Sequence, residues 1–337
     1  GSVSIHGKTS DFPYDNGKGV FDIRFHLLHG ELDYADGWPA VKDLDADVRF
    51  LDQGLEAHAN GGKIAGDSIS DATARFADLS TGVLAIDGGA KGDASNALDF
   101  LRSVALRKFL GSYLDGLEAS GPTATSLHLV LPVEDLDKFQ LHGVTTLQGT
   151  SFEPKGVTGM AVDHLQGALS FDRNGLATRG VDGRFLGGPV HIIIQPGKGR
   201  QSDITEFTAQ GSADGKTIAE LFKPVPAGWL DGSADWRMEG RVPNAPAAST
   251  TGFSLTLHSD LKGMGVSLPA PLTKQADDSL PLSFGIRLVD ENTLAGTAAY
   301  GDEVQAKFNL LRKGSVWSFD RGDLHLDRKS TRLNSSH

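Results

Sequence analysis

The chain has 337 residues, with 43 acidic against 32 basic side chains and a formal net charge of −11. So acidic a chain is a poor partner for nucleic acid, whose phosphates call for clustered Lys and Arg. It contains no cysteine, which excludes a disulfide framework, thiolate zinc sites and thiol catalysis, and no apolar run reaches the roughly 18 residues of a transmembrane helix.

From the N-terminus, His26, His29, Glu31 and Asp33 form the first polar cluster. On a strand His26 and His29 face opposite ways, so shared metal ligation would need a bend. Tyr34, Trp38 and Pro39 form an aromatic turn that reads as a packing plug at a strand end. Val48 and Phe50 then alternate with Asp47 and Arg49. Asp43, Asp45 and Asp47 fall on one strand face, and without the glycine and loop of a calcium site they read as a solvated outer surface. From Ser95 to Leu117 the period changes: Leu98, Leu101, Ala105, Phe109 and Tyr113 recur at helical spacing, with Asp93 or Ser95 as cap and Gly116 as stop. This predicts a helical insertion near 95–117, bent or split in two at Gly111, either covering part of an apolar sheet face or acting as a mobile lid over a ligand groove.

Alternation resumes with Leu127, Leu129 and Leu131. Ile192 and Ile194 flank Ile193, an apolar run on both faces. Gly215, Lys216 and Thr217 resemble the end of a phosphate loop, but Gln210 stands where that loop needs glycine. Phe253, Leu255 and Leu257 form the next apolar set, followed by Leu282, Phe284, Ile286 and Leu288, and then by Phe308 and Leu310 after Ala306. Period-two alternation puts all of one set on one face of a strand, giving an antiparallel sheet with one dry and one wet face. The 42 glycines exceed the usual share of roughly 7%. Nine Asn-Gly and Asp-Gly pairs, among them Asn60–Gly61, Asp87–Gly88 and Asp182–Gly183, read as hairpin turns.

Ala40–Gly66 aligns without gaps to Ala161–Gly187, with Ala40/Ala161, Leu44/Leu165, Phe50/Phe171, Gly54/Gly175 and Gly66/Gly187 identical. A repeated strand–turn–strand unit suggests a sheet that grows by accretion. The predicted fold is therefore all-β: an elongated, twisted antiparallel sheet curled into an open hydrophobic groove. Residues 1–326 would be one segment built of two related units, about 20–120 and 130–326. The last eleven residues, Asp327 to His337, read as translated sequencing adapter, and the whole as an internal fragment. At about 4.8 Å per strand, some twenty strands would extend about 95 Å. The expected groove lining is Val48, Phe50, Leu127, Leu129, Leu131, Ile192, Ile194, Phe253, Leu255, Leu257, Leu282, Phe284, Ile286, Leu288, Phe308 and Leu310.

Such a face must be buried against something. A sheet that closes on its own core would make the chain a structural scaffold. A polysaccharide-acting enzyme would need convergent carboxylates and stacked Trp, and Trp38, Trp229, Trp236 and Trp317 are scattered. No catalytic, cofactor or metal motif stands out.

Three stretches carry a family resemblance. They are LDYADGWPAVKDLDADVRF, with Tyr34, Gly37, Trp38, Pro39 and Phe50; SGPTATSLHLVLPV, with Gly121, Leu127, Leu129, Leu131 and Pro132; and HSDLKGMGVSLPAPLTKQADDSLPLSF, with Asp260, Leu261, Gly263, Leu268, Pro269, Pro271, Leu272 and Lys274. The third is the most specific. On these the chain resembles the YhdP branch of the AsmA-like envelope proteins. The resemblance implies a periplasmic segment of a bridge-like lipid transfer protein that conducts phospholipid between inner and outer membrane, tethered to the inner membrane by a segment missing from this chain. Its implied partners are phospholipid acyl chains, and both membranes through parts outside the chain. It implies no cofactor and no catalytic residue.

Overall fold

The computed structural model describes residues 1–14, 17–34, 36–103, 112–155, 159–173, 175–197, 204–221, 226, 228–243, 253–270, 272–290, 292–313 and 316–326. The protein is all-β, and every strand pairing with a defined register is antiparallel. It divides into two compact units, Gly1–Ser151 with Gln166–Ala177, and Phe152–Leu165 with Thr178–His337.

In the first unit, β1 (Ser2–His6), β2 (Val20–Leu32), β3 (Val41–Leu51), β4 (Gly54–Ile64), β5 (Asp67–Phe76) and β6 (Val83–Asp93) pair in chain order. Helix α1 (Ala94–Leu101) and the short β7 (Leu117–Ser120) follow. Then β8 (Pro122–Pro132) pairs with β6, and β9 (Gln140–Pro154) with β8. β10 (Val162–Asp172) and β11 (Gly175–Phe185) contribute residues to both units. In the second unit, β12 (Gly188–Pro196) pairs with β11, and β13 (Ile204–Asp214) with β12. After helix α2 (Gly215–Leu221), β14 (Leu230–Pro243) pairs with β13, and β15 (Ser254–Ser259) with β14. The three-residue β16 (Met264–Val266) also sits on β14. β17 (Leu282–Asp290), β18 (Thr293–Tyr300), β19 (Val304–Lys313) and β20 (Val316–Leu326) complete the ladder.

The repeat is visible in the backbone. β3, β4, β6 and α1 recur as β10, β11, β13 and α2, each displaced by 121 residues. The strained positions recur with them: Asp43 (φ 50) matches His164 (φ 52), and Ala65 (φ 50) matches Leu186 (φ 53).

Three expectations change in detail. First, α1 ends at Leu101, where Arg102 turns its guanidinium onto the carbonyls of Leu114 (2.7 Å) and Leu117. Ser112–Gly116 is a 3-10 turn and Leu117 already belongs to β7. Ala105, Phe109 and Gly111 lie outside the described residues. Second, Asn60–Gly61, Asp87–Gly88 and Asp182–Gly183 lie inside strands. Two of the tight turns are instead Ala65–Gly66 and Leu186–Gly187, with both central residues at positive φ, the turn whose twist matches the strands it joins. Third, Asp43, Asp45 and Asp47 are not one row. A bulge with Asp43 at φ 50 breaks the alternation, so Val41, Leu44 and Ala46 point inward. Asp43 meets Lys63 at 3.7 Å, while Asp45 and Asp47 meet His26.

The main core of the first unit is Trp38, Leu84, Leu98, Leu114, Leu129, Leu131, Phe139 and Phe171. Trp38, 6% exposed, packs edge-on against Phe100 and Phe139, as the plug expected of the aromatic turn. In the second unit Phe185, Val190, Ala209, Ala213 and Trp236 form the larger core.

Candidate functional site

Residues in register across antiparallel strands share a face, so the pairings trace apolar rows across each unit. In the first unit one row runs Ile23, Phe50, Leu55, Phe76, Leu84, Leu131, and the next runs Phe25, Val48, Ala57, Ala74, Ile86, Leu129, Leu141. A third is built almost wholly of small residues: Leu27, Ala46, Ala59, Ala72, Gly88, Leu127, Gly143. In the second unit one row runs Val181, Ile192, Ala209, Met238, Leu257, Phe284, Ala298, Ala306, Leu324. Beside it runs Ile194, Phe207, Gly240, Leu255, Ile286, Gly296, Phe308, Gly322.

The expected lining residues fall on these faces. Val48, Phe50, Leu127, Leu129 and Leu131 share one face of the first unit. Ile192, Ile194, Leu255, Leu257, Phe284, Ile286 and Phe308 share one face of the second. Leu282 stands opposite Tyr300 on that same face, and Leu288 and Leu310 both stand opposite Leu294. Phe253 precedes β15, its carbonyl accepting from the Leu288 N–H at 3.0 Å. Leu129 and Leu131, at 1% and 0% exposure, are sealed within the packed core, whereas the other fourteen are half-buried. The apolar faces persist to the outermost strands of the register: Val3 on β1 is 65% exposed and Phe319 on β20 is 67% exposed.

Glycine has a role here that the sequence pattern did not disclose. A Cβ on Gly240 would meet the Phe207 ring at 2.2 Å, one on Gly296 the Phe308 ring at 2.2 Å, and one on Gly143 the Phe171 ring at 2.2 Å. Each ring therefore lies down over a glycine of the next strand, which levels the apolar surface.

The opposite faces are polar and internally paired. His26, Asp47, His58, Thr73, Asp87, His128 and His142 make one row in the first unit. There His26 Nδ1 lies 2.9 Å from Asp47, and His128 Nδ1 2.6 Å from Asp87. The amide of Asn60, and then His26, hold the Asp47 carboxyl below its ordinary range. Arg49 and then Arg24 do the same, more strongly, for Asp22. Among the described residues no group of three or more His, Asp or Glu is placed to hold a metal ion.

A half-open cavity of about 170 Å³ lies in the first unit between the small-residue row and α1. Ala46, Ala59, Ala72 and Gly88 floor it, and Ala97, Phe100 and Leu101 of α1 roof it. The Asp93 carboxylate caps α1, accepting from the Ser95 N–H at 2.9 Å and also from the Gly121 N–H at 2.9 Å. Asn96 of α1 donates to the buried Asp67 carboxylate at 2.8 Å. Sequence reading offered the helix as a lid over a ligand groove and named Leu127 and Leu129, which line this cavity, but it missed the alanines on the inward face of β3, β4 and β5 that make the space.

The most specific of the family stretches folds over the second unit. Leu261 and Met264 bury against Ala234. The buried Lys274 donates from Nζ to the carbonyls of Met264 at 2.9 Å and Gln275 at 2.8 Å. The Tyr300 hydroxyl donates to the Leu272 carbonyl at 2.8 Å. That stretch closes a core.

These features define an antiparallel β protein presenting a registered apolar face in each unit. The whole of it, residues 1–337, matches the profile of the YhdP protein family, and the chain belongs to that family. A relative from Escherichia coli (strain K12), the intermembrane phospholipid transporter YhdP, is 25% identical over 323 residues. The match covers 93% of this chain and 25% of that protein, so the chain spans about a quarter of the relative's length. No solved structure matches the chain at a significant level. Among the described residues no helix is long and apolar enough to cross a membrane.

Proposed function

We propose that this chain is a periplasmic stretch of an intermembrane phospholipid conduit, along whose apolar faces acyl chains slide while headgroups stay in water. The observation that carries this reading is the register: eight strands of the second unit, β12 to β15 and β17 to β20, keep one apolar row in line. An acyl chain exposed to water is unfavourable by about 0.8 kcal/mol per CH₂, on the order of 12 kcal/mol for sixteen carbons. A continuous dry surface removes most of that barrier, and aliphatic contacts are weak and uniform enough to permit movement. The work is transport, with no bond made or broken.

The test is one of parity. A photo-crosslinking amino acid is placed in turn at 255, 257, 284 and 286, and at 256, 258, 285 and 287, in the chain exposed to phospholipid vesicles. Lipid adducts are expected at the first set and not at the second. Equal labelling of the two sets, or labelling of the second alone, would overturn the reading.

A further inference from the structure

We propose that the α1-roofed cavity of the first unit is a discrete binding chamber for the methyl end of one alkyl chain, a holding site distinct from the open apolar face. This inference rests on the conduction reading above.

The wall chemistry decides the class of occupant. Five polar side chains line the cavity, Tyr34, Asp67, Asn96, Thr125 and Thr145, while Thr73 lies among the lining residues with its side chain on the opposite, polar face. Asp67 is already engaged by Asn96 at 2.8 Å and by the Asp93 N–H at 3.2 Å. Thr125 and Thr145 bond each other at 2.9 Å, and the Thr73 hydroxyl lies 3.5 Å from His58 Nδ1. Only the Tyr34 phenol is left, and burial, then the Asp33 charge, push its pKa up, so it stays neutral. A trapped water needs two to four polar partners, and an apolar cavity of roughly 150 Å³ stays dry and takes benzene. At about 170 Å³ the chamber therefore takes an apolar group of about six carbons. That is the end of an acyl chain, too little for a whole one.

The roof is fixed. Asp93 and Asp67 bind the N-terminal turn of α1, and Arg102 binds its C-terminal end to the carbonyls of Leu114 and Leu117. In the second unit Ile192 stands where the first has Ala72, beside Ala209 at the place of Gly88. Lipid would dwell in this chamber.

The probe is phosphatidylglycerol carrying a diazirine at the terminal carbon of its palmitoyl chain, photolysed on the full chain, with labelled peptides mapped by mass spectrometry. Label is expected to concentrate around Ala72, Phe100 and Leu101. Ala72→Leu, which fills the chamber, should reduce that label at least fivefold while label near Phe284 in the second unit is unchanged. Label near Phe284 with none in the chamber, or chamber label insensitive to Ala72→Leu at an unchanged melting midpoint, overturns the chamber alone. Label in neither unit overturns the conduction reading and the chamber together. Should Ala72→Leu not fold, the wild-type map alone decides.

Discussion

Placing a methyl group on Gly296 tests how the apolar surface is built. Its Cβ would sit 2.2 Å from both Cε2 and Cζ of Phe308, so the ring must retreat before the strands can keep their register. Overpacking of this kind costs about 1–3 kcal/mol, offset by the roughly 0.5–1 kcal/mol that Ala gains over Gly within a strand. Gly296→Ala should therefore destabilise by about 1–2 kcal/mol. Phe308 stacks on Phe284 with centroids 6.0 Å apart, and Phe308→Ala should itself cost about 2 kcal/mol, less than the 3–5 of a fully buried ring. With the ring gone, the methyl has room. The double variant should be more stable than the sum of the singles predicts by about 2 kcal/mol, inside the 0.5–3 range of contacting residues. Urea denaturation of the four proteins measures this. Additivity to within about 0.5 kcal/mol would mean that the ring does not rest on the glycine, and the levelled-surface argument would fail.

Other consequences follow from single contacts. Trp38→Ala empties the centre of the first unit's core and should cost about 3–5 kcal/mol, read as a lowered urea midpoint. Ala65→Gly relieves a side chain held at φ 50; since αL costs a non-glycine residue roughly 1–2 kcal/mol, it should raise the thermal midpoint, and a fall would refute the turn assignment. Backbone and side-chain bonds from Ser95 hold the Asp93 carboxyl below its ordinary range, as those from Thr217 do for Asp214. Both carboxyls ionise more readily folded than unfolded, so their stabilisation is complete above the unfolded value near 4 and is lost as pH falls below it. Asp93→Ala with Asp214→Ala should flatten that acid loss, as a pH series of thermal melts would record.

Much of the fold was legible because strand alternation is a direct consequence of pleating. Leu255 and Leu257, and Leu282 to Leu288, occupy the faces that their period demands. The repeat was equally legible, since Ala40–Gly66 and Ala161–Gly187 differ by a constant offset. The turns were not. Ala65 and Leu186 take left-handed backbone that their side chains disfavour, because strand pairing on both sides imposes it. Asp36–Gly37 is a turn, with Gly37 at φ 80, but Asn60–Gly61, Asp87–Gly88 and Asp182–Gly183 misled because glycine also serves inside strands, where Gly88 makes room against Ala72 and Gly143 beneath Phe171. Helix α1 closes at Leu101, and Arg102 ties Leu114 and Leu117 back onto its end, a long-range contact that the apolar period does not carry. The cavity was illegible because it depends on the height of α1 above the sheet, fixed by Asp67 and Asn96 across 29 residues of sequence.

The central claim is that the apolar faces carry phospholipid, and native mass spectrometry of the purified chain with lipid extraction tests it most directly. The account predicts co-purifying phospholipid, lost when Leu255→Asp and Phe284→Asp place charges side by side on the apolar rows of β15 and β17. A lipid-free, monodisperse and cooperatively folded chain would contradict it, and would mean that the sheet buries its own apolar face as a scaffold does.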